Sequence, residues 1–281
     1  MWETETNLTL VGIALYTLAS VLAVTALLRP SRRIERWALV LAACGAVPLL
    51  LVMVLHGFRA GHVRALSRFE AFVVYGVFLT VAYLVMCARR PRASGLSTFV
   101  IPYVTVVLIL GLPAIRSDAV LAPQIQNSWL KMHIVTAFLG YASFSLAAVM
   151  ALAYLLQDRN LKRKDFGALT TRLPALETLD RLMSVQVGIA FLMLTVSIVL
   201  GVLLVRLTGG GEEWVTDPKV VATVLTWCVF AALVHMRAWA NRHGRRLALV
   251  ILMGLLCLLF AFIGVHVVAH SVHDYLQVGG R

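Results

Sequence analysis

Apolar runs of about 20 residues, broken by short polar loops, recur along the whole chain. A helix that crosses a bilayer needs roughly 20 apolar residues. Eight segments reach that length, at roughly 8–28, 37–56, 69–88, 97–114, 130–156, 184–206, 219–239 and 247–270. The pattern predicts an all-α fold: a polytopic membrane helix bundle of about eight transmembrane helices, forming a single integral membrane domain over residues 1–281. The first run reads as a span and not as a cleavable signal, because Met1 to Asn7 is acidic and the run is long. Only the loop at roughly 157–183 is long. There, basic residues mix with Leu161, Phe166, Leu169, Leu173, Leu176 and Leu179. This predicts one or two amphipathic stretches on the inner membrane surface, interrupted at Pro174. A solvated basic linker is the plainer alternative.

Composition agrees with the pattern: 60% of the residues are hydrophobic and only 14% are charged. The formal charge of +12 does not point to nucleic acid, because the cations sit in short clusters between apolar runs. Seventeen of the 25 Lys and Arg fall in alternate loops, around Arg29–Arg36, Arg89–Arg92, Arg159–Arg181 and Arg237–Arg246. The positive-inside rule puts these loops in the cytoplasm and both termini outside. Arg59, Arg64 and Arg68 run against it, and a re-entrant or partly buried loop would account for them.

An imidazole in lipid is costly without a partner, so histidines in the spans are functional candidates. His266, His270 and His273 share one face of the last span, at i, i+4 and i+7. His133 stands near the outer end of the fifth span, at about the depth of His273, and His235 near the inner end of the seventh. His243 falls in a basic loop, and His56 and His62 flank the second loop. Two histidines from different helices at one depth meet the axial requirement of a six-coordinate haem iron. The plainer alternative is that each bonds a carbonyl or hydroxyl in the bundle. His266 and His270 also have the spacing of a transition-metal pair, but only Asp274 stands near them.

Among the acids, Glu70 alone falls where burial is expected, with Arg59 or Arg68 as partner. The shortage of acids in the spans disfavours an ion-coupled transporter, and no catalytic constellation is visible. Gly209–Gly211 reads as a flexible outer loop. The four cysteines, Cys44, Cys87, Cys228 and Cys257, form no C-x-x-C pair and are expected as packing residues.

Five stretches carry a family resemblance. They are Gly61-His62 through Ala71; Trp129-Leu130-Lys131-Met132-His133 with Gly140-Tyr141-Ala142; Leu179-Asp180-Arg181-Leu182 with Leu194-Thr195 and Gly201; Asp217-Pro218-Lys219 with Thr226-Trp227 and His235-Met236-Arg237; and Gly264-Val265-His266 with His273-Asp274-Tyr275. In this order, across residues 57–275, the chain resembles the cytochrome c assembly protein family, which includes CcsA-type and HemX-like membrane proteins.

The resemblance implies a haem-binding membrane protein that handles haem at the outer face of a bacterial cytoplasmic membrane during cytochrome c biogenesis. The haem would be b-type and non-covalent. The resemblance makes His133 and His273 the axial ligands, with His270 a near alternative to His273. It makes His235 the inner histidine, and Trp214 and Asp217 the remains of a tryptophan-rich loop that cradles the porphyrin. The implied partners are haem, an assembly partner in the membrane, apocytochrome c and lipid. The protein would be an assembly factor and not itself an enzyme, since thioether formation needs a C-x-x-C-H partner. The loop departs from the family pattern: Thr216, Val220 and Ala222 stand where Trp, Glu and Trp are expected. HemX-like members also lack the full motif. That likeness implies the alternative, a regulator or scaffold that recruits a haem-synthesis enzyme through its basic inner surface without ligating haem.

Overall fold

The computed structural model describes residues 2–29, 31–59, 68–114, 128–164, 167–207, 212–238 and 244–264. Every regular element among them is helical: α1 (Trp2–Leu28), α2 (Arg32–Arg59), α3 (Arg68–Arg89), α4 (Ser97–Gly111), α5 (Ser128–Lys162), α6 (Ala168–Arg172), α7 (Leu176–Leu207), α8 (Pro218–Ala238) and α9 (Arg245–Leu259), with short 3-10 turns and a π turn at Phe260–Gly264. Eight of these stretches are long and apolar enough to cross a membrane. The chain is a multi-pass membrane protein, and its surface agrees with that. Leu10, Val47, Val199, Leu225 and Met253 are exposed, while hydroxyls and small residues turn inward. Lipid solvates the former, and the latter satisfy one another inside.

The backbone separates into two compact units. The first comprises Met1–Ser117 with Ala153–Leu179, the second Asp118–Leu152 with Asp180–Arg281. In the first, α1 and α2 approach closely where side chains are absent. A Cβ on Gly12 would stand 2.8 Å from Leu49 Cγ, and one on Gly45 would stand 3.0 Å from Tyr16 Cδ2. Buried Ala19, Ala23 and Ala26, with Ala38, Ala42 and Ala46 on the neighbouring helix, extend this smooth seam. Hydroxyls tie α1 to α3 and α4: Tyr16 to Thr80 at 2.8 Å, Ser20 to Thr105 at 2.7 Å, and Thr98 Oγ1 donating to Ala23 O at 3.0 Å. The 3-10 turn at Pro91–Leu96 lies so close to α6 that a Cβ on Gly95 would collide with the Arg172 carbonyl.

In the second unit the core is aromatic. Phe144 of α5 stacks on Phe230 of α8, with centroids 3.9 Å apart and planes 15° apart. Phe138, Tyr141 and Phe262 meet edge to face. Gly254 lets α9 reach this core, since a Cβ there would stand 2.8 Å from Phe144 Cζ. Trp227 Nε1 donates to Thr195 Oγ1 at 2.8 Å and joins α8 to α7.

Three expectations change. The loop at 157–183 is mostly helix: α5 continues to Lys162 and α7 begins at Leu176. Its polar residues still favour helix, with Asp158 pairing Lys162 at 2.8 Å one turn on, and Leu179, Met183 and Val187 continue the buried stripe of α7. The break at Pro174 is present, because residues 173–175 are non-helical. The cysteines are free thiols, but Cys44, Cys228 and Cys257 face outward and pack no core. Glu70 is buried, yet so are Glu5, Glu35 and Asp217.

Candidate functional site

His133 lies in the second turn of α5. Its neighbours Trp129 and Met132 are exposed, while its own ring is half-buried and turned toward α7. Nδ1 stands 2.7 Å from the carbonyl oxygen of Ser197 and 3.2 Å from its hydroxyl. The same hydroxyl donates to the backbone carbonyl of His133 at 3.1 Å. One turn further along α7, Gly201 leaves room for the ring. Two turns deeper on α5, Gly140 repeats the close approach, where a Cβ would stand 3.3 Å from both Ala190 O and Leu194 N. His133 and Gly140, seven residues apart, therefore share the face of α5 that meets α7.

Trp214 and Asp217 belong to the segment entering α8. Trp214 is half-buried in the 3-10 turn Glu212–Thr216, and its carbonyl accepts the Asp217 N–H at 3.2 Å. Asp217 is 5% exposed. Its Oδ1 accepts the N–H groups of Lys219 at 2.9 Å and Val220 at 3.2 Å, and its carbonyl accepts Val221 N–H. With Pro218 next to it, this is an N-cap that satisfies orphan donors of α8. The cap satisfies Oδ1 of this buried carboxylate.

α7 ends and α8 begins at one end of the second unit, so His133, Trp214 and Asp217 occur at that same end. His235 lies in the last turn of α8, at the opposite end, and is exposed. There Asp180 accepts Arg237 Nη1 at 2.7 Å and Gly244 N–H at 2.8 Å. Beside this pair runs a small apolar cleft of about 120 Å³, lined by Val187, Gly188, Leu233, Val234 and Leu247. His266, His270 and His273 lie outside the described residues. Among the described residues no three of His, Cys, Asp and Glu converge to hold a metal ion. A porphyrin brings its own in-plane nitrogens and asks the protein only for axial donors.

Sequence reasoning gave no role to three residues here, although Asp180 and Gly201 stand in the stretches that carry the resemblance. Ser197 and Gly201 look like ordinary small residues of an apolar span, and their signal is the helical spacing that puts both on one face. Asp180 looks like one more loop acid, and its signal is that a carboxylate continuing an apolar helix needs a partner.

The model of the family described as cytochrome C assembly protein matches residues 64–273. The cytochrome c biogenesis protein CcsA of Synechococcus sp. (strain CC9605) is 28% identical over 306 aligned positions, covering 98% of this chain and 97% of that protein. The CcsA of Guillardia theta is 25% identical over 251 positions, 82% of each chain. That of Chlamydomonas reinhardtii is 24% identical over 233 positions, 81% of this chain and 65% of its own.

Proposed function

The chain belongs to the cytochrome c assembly protein family, and from that premise we propose that it is a haem-handling membrane protein of cytochrome c biogenesis. Haem is its cargo, held non-covalently and b-type, for attachment to an apocytochrome c that a membrane partner brings. The relatives named above are all cytochrome c biogenesis proteins, and a HemX-like regulator of haem synthesis finds no support in them.

The observation that carries the site is the seating of His133. Its imidazole is oriented by a second helix and shares its end of the unit with the indole of Trp214. An oriented imidazole suits an axial iron position, and an indole suits the face of a macrocycle. His133 would supply one axial nitrogen and His273 the other, with His270 the neighbouring choice. His235, at the far end, would serve an inner position. Asp217 would act through the helix start it caps, holding Trp214 at the His133 end of the unit. With eight spans both termini would lie on one side, and the distribution of Lys and Arg favours the outer one. The His133 end would thus face the compartment where cytochromes c mature, outside a bacterial cytoplasmic membrane.

The test is an absorption spectrum of the detergent-purified protein beside His133→Ala and His273→Ala. A Soret band that weakens or shifts in both variants supports the assignment. A band unchanged in both, or no haem in any of the three after expression with excess haem, sinks it.

A further inference from the structure

We propose that Ser197 and Gly201 are positioning residues for His133, presetting the proton and the orientation of its imidazole before haem arrives. This rests on the haem reading given above. The carbonyl oxygen of Ser197 can only accept, and it stands 2.7 Å from Nδ1. A bare Nδ1 lone pair at that distance would face another lone pair. The single proton of the Ser197 hydroxyl goes to the His133 carbonyl at 3.1 Å, so toward Nδ1, at 3.2 Å, the hydroxyl also acts as acceptor. The carbonyl contact requires Nδ1 to carry the proton and the hydroxyl contact is compatible with it, which leaves the lone pair on Nε2.

A ligating histidine is tuned in this way by the bond its other nitrogen makes. A carbonyl on Nδ1–H fixes the tautomer and makes Nε2 a stronger donor. Ser197 is 2% exposed, so water does not compete for these bonds. Gly201, one turn on along the same face, sets the tilt of the ring. A Cβ there would stand 3.1 Å from Cε1 and 3.2 Å from Nδ1, so the imidazole would have to give by a few tenths of an ångström against its bond to the carbonyl. Two residues that touch no iron therefore determine which nitrogen meets it.

The experiment has a haem-free arm and a haem-loaded arm, both on the full chain. In the first, 15N-histidine NMR of the haem-free protein is compared with His133→Ala to assign the resonance. A pyrrole-type Nδ1 with a pyridine-type Nε2 is expected at neutral pH, and the reverse overturns the proposal whatever haem does. In the second, haem retention and midpoint potential are measured. Gly201→Val, which crowds the ring against its carbonyl partner, should weaken retention by about tenfold, the usual effect of losing an outer-shell partner. Ser197→Ala, which keeps the carbonyl and loses only the hydroxyl, should weaken it less. They should also raise the potential, while Ser197→Thr keeps the hydroxyl and stays near the parent. Gly201→Ala gives a milder push should the valine variant not fold. If His133→Ala releases haem and none of these variants does, positioning is overturned and the haem reading survives. If His133→Ala changes nothing, the haem reading falls, and the role of Ser197 and Gly201 falls with it.

Discussion

Arg237 donates through Nη1 to Asp180 Oδ2 at 2.7 Å, while the other oxygen of the same carboxylate accepts the Gly244 N–H at 2.8 Å. One side chain on α7 thus holds both the last turn of α8 and the residue before α9. Gly244 sits at φ 69°, a left-handed conformation that glycine adopts at no steric cost.

Asp180→Ala should lower stability by about 2–3 kcal/mol, the worth of charge-assisted hydrogen bonds in a part-buried setting. Asp180→Asn keeps an acceptor for Gly244 and should lose less. Thermal unfolding in detergent reads both, and equal melting temperatures for parent and alanine variant would refute the clamp. Because the clamp lies at the end opposite His133, any bound haem should keep its spectrum.

Asp217 separates a capping role from contact with cargo. Asp217→Ala should cost about 1 kcal/mol through the lost cap, and Asp217→Asn, also a good cap, should be nearly silent. If the asparagine variant folds normally but loses haem, the carboxylate charge has a role beyond the cap.

Gly254→Ala should destabilise by about 1–3 kcal/mol, because overpacked cores must shift backbone or rotamers. The added methyl would stand 2.8 Å from Phe144 Cζ, on a ring already stacked against Phe230. Pairing it with Phe144→Leu should recover part of the loss, and no recovery would place the strain elsewhere.

Sidedness is tested by labelling. With the four native cysteines replaced by alanine, Lys131→Cys should react with a membrane-impermeant maleimide applied outside intact cells. Lys164→Cys should react only after the membrane is opened. The opposite result would reverse the topology drawn from Lys and Arg.

Much of this architecture is legible in hydropathy alone, because lipid imposes a length on every span. The ends of α1, α3 and α8 fall within a few residues of the apolar runs, apart from the polar first turns of α1. Hydropathy fails at α5 and α7, because a helix does not end where lipid ends. Gln157 to Lys162 and Leu176 to Asp180 keep helical geometry in polar sequence. At the candidate site, His133 is visible from its type and depth. The Ser197 carbonyl is not visible, because a backbone acceptor has no letter of its own. The bond from Asp180 to Arg237 joins residues 57 apart, and no local window contains both.

The length of α5 decides where its basic end lies. Its 35 residues, at about 1.5 Å each, span roughly 52 Å, against about 40–45 Å for a bilayer with its headgroups. Set upright with Trp129 at one interface, the helix would carry exposed Leu161 and Lys162 to the far side of the headgroups. A helix so placed would hold its basic end within reach of soluble macromolecules, braced by the bonds of Gln157 to Pro174 O and Asn160 to Thr170.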